Sequence, residues 1–196
     1  MLGVAYGHFE ADLRFDGESD YELAQDALVA SLGYRLSHGF SLRVSAGTIL
    51  DGSLRGEGRS YDVEPGWTMS FSAARQWFGR SDETPFLTTA LSLSASRART
   101  IEVGTGVEEP LGASDVRISV LAGYTFGDTW SPFFVARAFG GPVSFRQDGR
   151  ERTGTDRHHY ALGLGSGLSL FERLELLVDA TVLGEKSLSA GASVAF

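Results

Sequence analysis

Any chemistry in this chain must come from a small set of charged and imidazole side chains. Near the start, His8, Glu10, Asp12 and Arg14 alternate with Phe9, Ala11, Leu13 and Phe15. A strand sends every second residue to one face, so the four polar groups share a side. The same parity in later segments adds Arg43, Arg117, Arg137, His159, Glu175 and Asp179. Opposite charges on facing strands would pair, because an unpaired buried charge costs several kcal/mol. Further on, Asp156, His158 and His159 fall together, and a touching Asp–His pair activates water for hydrolysis. Such neighbours are also common in ordinary polar loops, and no matching second acidic pair is present. Four scattered histidines and no cysteine give no zinc spacing, so no metal or other cofactor is expected. The run Gly163-Leu164-Gly165-Ser166-Gly167 follows strand parity and is no phosphate loop.

The elements that position these groups read as strands. Phe40, Leu42, Val44 and Ala46 alternate with Ser41, Arg43 and Ser45, and period-two alternation recurs at 67–76, 87–95, 116–126 and 188–196. The second face is built of Ser, Gly, Thr and Ala, with occasional Arg, Asp or Glu. A water-facing sheet would carry long charged side chains. Yet of 17 basic residues only Lys186 is a lysine. Small polar residues suit a narrow lumen, so the apolar set is predicted to face lipid. The expected fold is all-β, a closed antiparallel up-and-down transmembrane β-barrel filling residues 1–196 as one domain. Ten strands are predicted, at 2–15, 21–36, 40–50, 66–78, 85–97, 115–126, 132–145, 158–170, 173–183 and 187–196, with eight as the alternative.

Composition agrees. Hydrophobic residues make up 42% and mean hydropathy is −0.05, as in a barrel where alternate residues meet lipid. Apolar runs such as Leu176 to Val178 stop far short of the ~20 residues of a membrane helix. The net charge of −8 argues against nucleic acid as a partner. Met1 to Gly7 has no basic start and no apolar core, so for an exported barrel a mature chain is expected. Short links at Ser37–Gly39, Gly79–Thr84, Gly127–Ser131 and Phe171–Glu172 alternate with longer polar ones at 51–65, 98–114 and 146–157. That is the pattern of short periplasmic turns and long outer loops, with both termini periplasmic. The link Gly184–Lys186 is short for an outer loop, which keeps eight strands open.

The short turns carry bulky rings. Gly33-Tyr34-Arg35-Leu36-Ser37-His38-Gly39-Phe40-Ser41-Leu42 is echoed by Gly123 to Phe133 and, more loosely, by Gly167 to Leu176. Tyr34, Phe40, Trp77, Phe78, Phe86, Trp130, Phe133 and Phe171 are predicted to form a membrane-interface girdle. These hairpins and the closing strand Ser187 to Phe196 resemble the small outer-membrane barrel superfamily that includes OmpA-type and OmpX-type proteins. The resemblance is one of pattern. It implies the bacterial outer membrane, and it makes Phe196 the signal read by the barrel-assembly machinery. Omptin-type proteases have ten strands and use Asp and His at the outer rim, where Asp156, His158 and His159 are predicted to lie. In lipid A deacylase barrels a Ser–His arrangement acts, but Ser166 is too far along the strand from His159. Outer-membrane lipid and lipopolysaccharide are the expected partners, with Arg97 and Arg99 placed either to meet lipid phosphates or to stand as solvated loop arginines, alongside an envelope protein at the polar loops. The leading expectation is a structural or interaction protein whose lumen is plugged by paired charges. A small passive pore is second and a hydrolase third.

Overall fold

The computed structural model describes residues 1–196 apart from 17–18, 79–84, 128 and 172. The predicted turn Gly79–Thr84 and the Glu172 half of the Phe171–Glu172 turn therefore lie outside the described residues. The described strands are β1 (Leu2–Phe15), β2 (Ser19–Arg35), β3 (Phe40–Gly56), β4 (Arg59–Val63), β5 (Gly66–Phe78), β6 (Pro85–Glu102), β7 (Glu108–Tyr124), β8 (Trp130–Gly140), β9 (Val143–Gln147), β10 (Arg150–Asp156), β11 (Tyr160–Leu170), β12 (Leu174–Gly184) and β13 (Lys186–Val194). A 3₁₀ turn occupies Ser37–Gly39.

Strand pairing is antiparallel and closes on itself at two levels. At the short-turn end the ring runs β1-β2-β3-β5-β6-β7-β8-β11-β12-β13 and back to β1. That is ten strands, the predicted number, among the described residues. At the other end the ring runs β1-β2-β3-β4-β6-β7-β9-β10 and back to β1, which is eight. The difference has a simple cause. β4 and β5 are one wall strand broken at Glu64-Pro65, and β8 and β9 are another broken at Gly141-Pro142. Proline lacks a ladder donor, so such breaks fall where it stands. β10 and β11 continue one another likewise across 157–159. The hairpin β12–β13 is a wedge. It separates β11 from β1 in the lower wall, and beyond its tip β10 pairs directly with β1 through Leu13, Arg14 and Phe15.

Segments 51–65, 98–114 and 146–157, predicted as polar loops, are instead largely strand, and they build the eight-strand ring. Two of its hairpins turn on Glu57-Gly58 and Asp148-Gly149, with φ of 51° and 74°, then 52° and 73°. Two positive values in succession are the geometry that fits the right-handed twist of a tight hairpin.

Barrel diameter grows with strand number, and about eight strands leave an interior just wide enough for side chains to fill. The core sits there. Leu13, Phe15, Tyr21, Leu23, Ile49, Leu54, Tyr61, Val63, Leu111, Val143 and Phe145 are all buried. In the ten-strand ring the pattern inverts. Leu2, Val4, Leu32, Val44, Met69, Phe71, Leu93, Ile118, Phe134, Leu164 and Leu188 point outward and are exposed, forming an apolar band.

Candidate functional site

The most deeply buried ion pairs of this fold lie in the lumen. At the eight-strand end it is capped by one cation. Arg152 donates from Nε to Asp16 Oδ2 at 2.8 Å and from Nη1 to Gln147 Oε1 at 2.6 Å and Glu57 Oε2 at 3.0 Å. Its Nη2 donates to Ser19 Oγ at 2.6 Å. Ser19 in turn donates to Glu57. The Ser19 hydroxyl and then the Arg152 guanidinium hold the Glu57 carboxyl down at about 2. Beneath this cap Phe145 meets Tyr61, Phe15 and Tyr21 at centroid distances of 5.1, 6.0 and 6.1 Å. Phe15 and Phe145 have no exposed surface. Tilted and edge-on ring packing of this kind fills a narrow bore tightly.

Where the ring widens, the packing stops and a cavity of about 510 Å³ begins. Arg117 crosses it to Glu185, with Nη1–Oε1 and Nη2–Oε2 both 3.0 Å, and its Nε donates to Asp115 Oδ2 at 3.2 Å. The guanidinium also lies 4.5 Å from the Phe139 ring centroid. Arg137 donates to Asp179 at 2.7 Å, and Ser189 donates to the other Asp179 oxygen. Toward the short turns a second hollow of about 390 Å³ is bordered by Arg43, Glu175, Phe86 and Phe133.

Of the nine residues predicted to form one lumen network, five face the lumen: Arg43, Arg117, Arg137, Glu175 and Asp179. They do not form a single cluster, since Arg43 and Glu175 belong to the lower hollow. The other four face the opposite way. His8, Glu10, Asp12 and Arg14 stand on the outside wall, where their partners are Asp26, Lys186, His158 and Asp20. The reason is the inverted pattern. Above the apolar band the outside of the wall meets water, so Ala11, Leu13 and Phe15 turn inward. Their parity is opposite to that of Leu2, Val4 and Tyr6, and the switch between Tyr6 and Phe9 is the signal in the sequence that locates it. Glu185, Asp115, Asp156 and Arg152, outside the predicted lumen network, complete the charged lumen.

The predicted aromatic girdle divides in the same way. Tyr34, Phe40, Trp77, Phe78, Trp130 and Phe171 are exposed at the short-turn end. Arg75 stacks there between Trp77 and Phe40, at 3.8 and 4.9 Å from their centroids. Phe86 and Phe133 instead turn inward onto Gly123, and Phe133 also packs on Gly165, because glycine leaves room for a ring. The segment Asp156, His158 and His159 does not bring all three to one point. Asp156 and His159 border one hollow, whereas the acid nearest His158 is Asp12, at 3.7 Å on the outer wall.

No family model and no curated protein matches the sequence. Solved structures do. The outer membrane protease OmpT from Escherichia coli is 8% identical over 100% of this chain and 96% of that chain, with a TM-score of 0.58. The translocator domain of the autotransporter NalP from Neisseria meningitidis is 12% identical over 100% and 88%, with a TM-score of 0.55. The transport unit of the autotransporter AIDA-I from Escherichia coli is 10% identical over 100% and 89%, with a TM-score of 0.50. At such identities the likeness speaks for architecture and for nothing finer. The chain has the fold of a transmembrane β-barrel of the bacterial outer membrane.

Proposed function

We propose that this protein is an integral outer-membrane barrel of the small OmpA/OmpX type, with a structural or interaction role in the envelope and neither conductance nor catalysis as its task. The observation that carries the reading is the filled eight-strand ring, in which Leu13, Phe15, Leu54 and Phe145 are 0–1% exposed beneath the Arg152 cap. The plug is therefore mainly apolar, with paired charges beneath it. The short turns face the periplasm and the capped ring projects outward, the orientation usual for such barrels. The test is planar-bilayer recording of the purified barrel. Silence is expected, and reproducible single-channel steps would overturn the reading. The membrane assignment has its own check in a heat-dependent shift of mobility on SDS gels.

Partners follow from the outer surface. Arg97 lies directly across from Trp67 at the edge of the apolar band, and both share a groove with Arg146. Arginine at that level suits lipopolysaccharide phosphate, which it binds as a fork. Arg99, predicted as a second phosphate ligand, lies 3.5 Å from Glu108 and is thus partly neutralised. Phe196, 91% exposed, is available to the assembly machinery, and the outer hairpins to an envelope partner. Replacing Arg97 and Arg146 with Ala should reduce co-purified lipopolysaccharide while leaving the gel shift intact. Unchanged lipopolysaccharide content would remove this contact.

A further inference from the structure

The cavity beneath the plug has no role in closing the barrel, and its lining is chemically lopsided. About 510 Å³ is within the ~300–1,000 Å³ typical of ligand pockets. Phe9, Leu23, Ile49, Ala98, Leu111 and Val143 form its apolar side. Asp115, Asp156 and Glu185 bring three carboxyls to the rest. Their cations are already engaged. Arg117 spends both Nη groups on Glu185 and its Nε on Asp115, and Arg137 is held by Asp179. Asp115 Oδ1 is left buried without a partner. The Asp156 side chain, beside its ladder-paired backbone, makes no hydrogen bond or ion pair among the described residues.

We propose that this cavity binds a small organic amine, with its ammonium between Asp156 and Asp115 and its apolar body against Phe9, Leu23, Ile49 and Leu111. An ammonium supplies the donors and positive charge that these carboxyls lack. A neutral or anionic ligand does not. A hard metal cation needs several converging oxygens, and no grouping able to hold one exists among the described residues. The cavity shares its walls with two hollows. Gly141 and Asp156 also border an outer-wall hollow of about 670 Å³, and Ala5 and Ser189 are shared with the lower hollow. The proposal does not depend on whether the barrel conducts.

Burial, with Glu185 and Asp115 nearby, pushes the Asp156 carboxyl up to about 6, against the opposing pull of Arg117 and His159. Arg137 lines the same cavity, and Arg14 and Arg157 line the outer hollow beside Asp156. Binding should therefore weaken as the medium is acidified through about pH 6.

The experiment uses the folded barrel in lipid nanodiscs and isothermal titration with phenethylamine, the neutral phenethyl alcohol and the anionic phenylpropionate. One saturable amine site is expected at about pH 8, with the alcohol and the acid at least about tenfold weaker. Asp156→Asn should weaken amine binding by about tenfold or more. Ala113→Phe, which fills the cavity, should abolish it. Asp115→Asn provides a second charge variant if either of these fails the gel-shift test for folding. Equal binding of amine and alcohol would overturn the proposal. So would amine binding that survives Ala113→Phe, or the absence of saturable binding at millimolar amine.

Discussion

Arg117 holds Glu185 through two parallel bonds of 3.0 Å, although the residues stand 68 positions apart. Glu185 is at the tip of the β12–β13 wedge, and Arg117 is on the opposite wall, in β7. The pair thus pins the one element that changes the strand number from ten to eight. Its Thr181 neighbour adds a hydroxyl bond to the Glu185 carbonyl oxygen at 2.8 Å.

Arg117→Met should destabilise the barrel by about 3–5 kcal/mol, because it strands Glu185 and Asp115 as uncompensated charges. The double variant Arg117→Met/Glu185→Met should lose less than the single one. Denaturant unfolding in lipid vesicles measures both. A double variant as damaged as the sum of the two singles would show that the residues act independently.

Phe145→Ala should cost about 3–5 kcal/mol by opening a void at the centre of the aromatic plug. The same variant should raise conductance above the silent wild type, since Phe145 stands among Phe15, Tyr21 and Tyr61 in the narrow ring. A variant that unfolds more easily yet never conducts would mean that the Arg152 cap alone closes the lumen.

At Gly165 an added Cβ would fall 2.2 Å from the Phe133 ring and 2.8 Å from the Val178 carbonyl oxygen. Gly165→Val should therefore abolish the heat-dependent gel shift. Gly165→Ala should reduce the folded yield, and the added change Phe133→Ala should recover part of it. Full folding of Gly165→Val would contradict the close packing of β8 on β11.

Two carboxyls outside the apolar band give stability opposite dependences on pH. Asp156 is raised from 3.8 to about 6. Between those values the folded barrel holds a proton that the unfolded chain has released, so stability falls as pH rises through that window. Glu57 is lowered from 4.5 to about 2. Its contribution is complete above about pH 4.5 and is lost as pH falls toward 2. Asp156→Asn should flatten the first slope and Glu57→Gln the second, as read from unfolding midpoints across pH. Parallel curves for wild type and Asp156→Asn would remove the assignment to Asp156.

How far each feature could be read from the chain depended on the range of its cause. Alternation such as Phe40, Leu42, Val44 and Ala46 against Ser41, Arg43 and Ser45 is a local property, since a strand wall between lipid and a small-residue lumen needs nothing else. It determined the ten lower strands and the outward band. Tight turns and the exposed rings at Tyr34, Phe40, Trp77 and Trp130 were legible for the same reason. Charge partners were not, because parity names a face only while the environment outside the wall stays constant. On β1 it changes from lipid to water between Tyr6 and Phe9, and that reverses the placement of His8, Glu10, Asp12 and Arg14. Phe86 and Phe133 turned inward because Gly123 and Gly165 on neighbouring strands made space for them. The short link Gly184–Lys186 kept both ten and eight strands in view, and both numbers describe the molecule. Only tertiary structure decided how. A hairpin that stops short lets β10 close on β1, the bore narrows, and apolar side chains seal it above a cavity that charges alone would have left open.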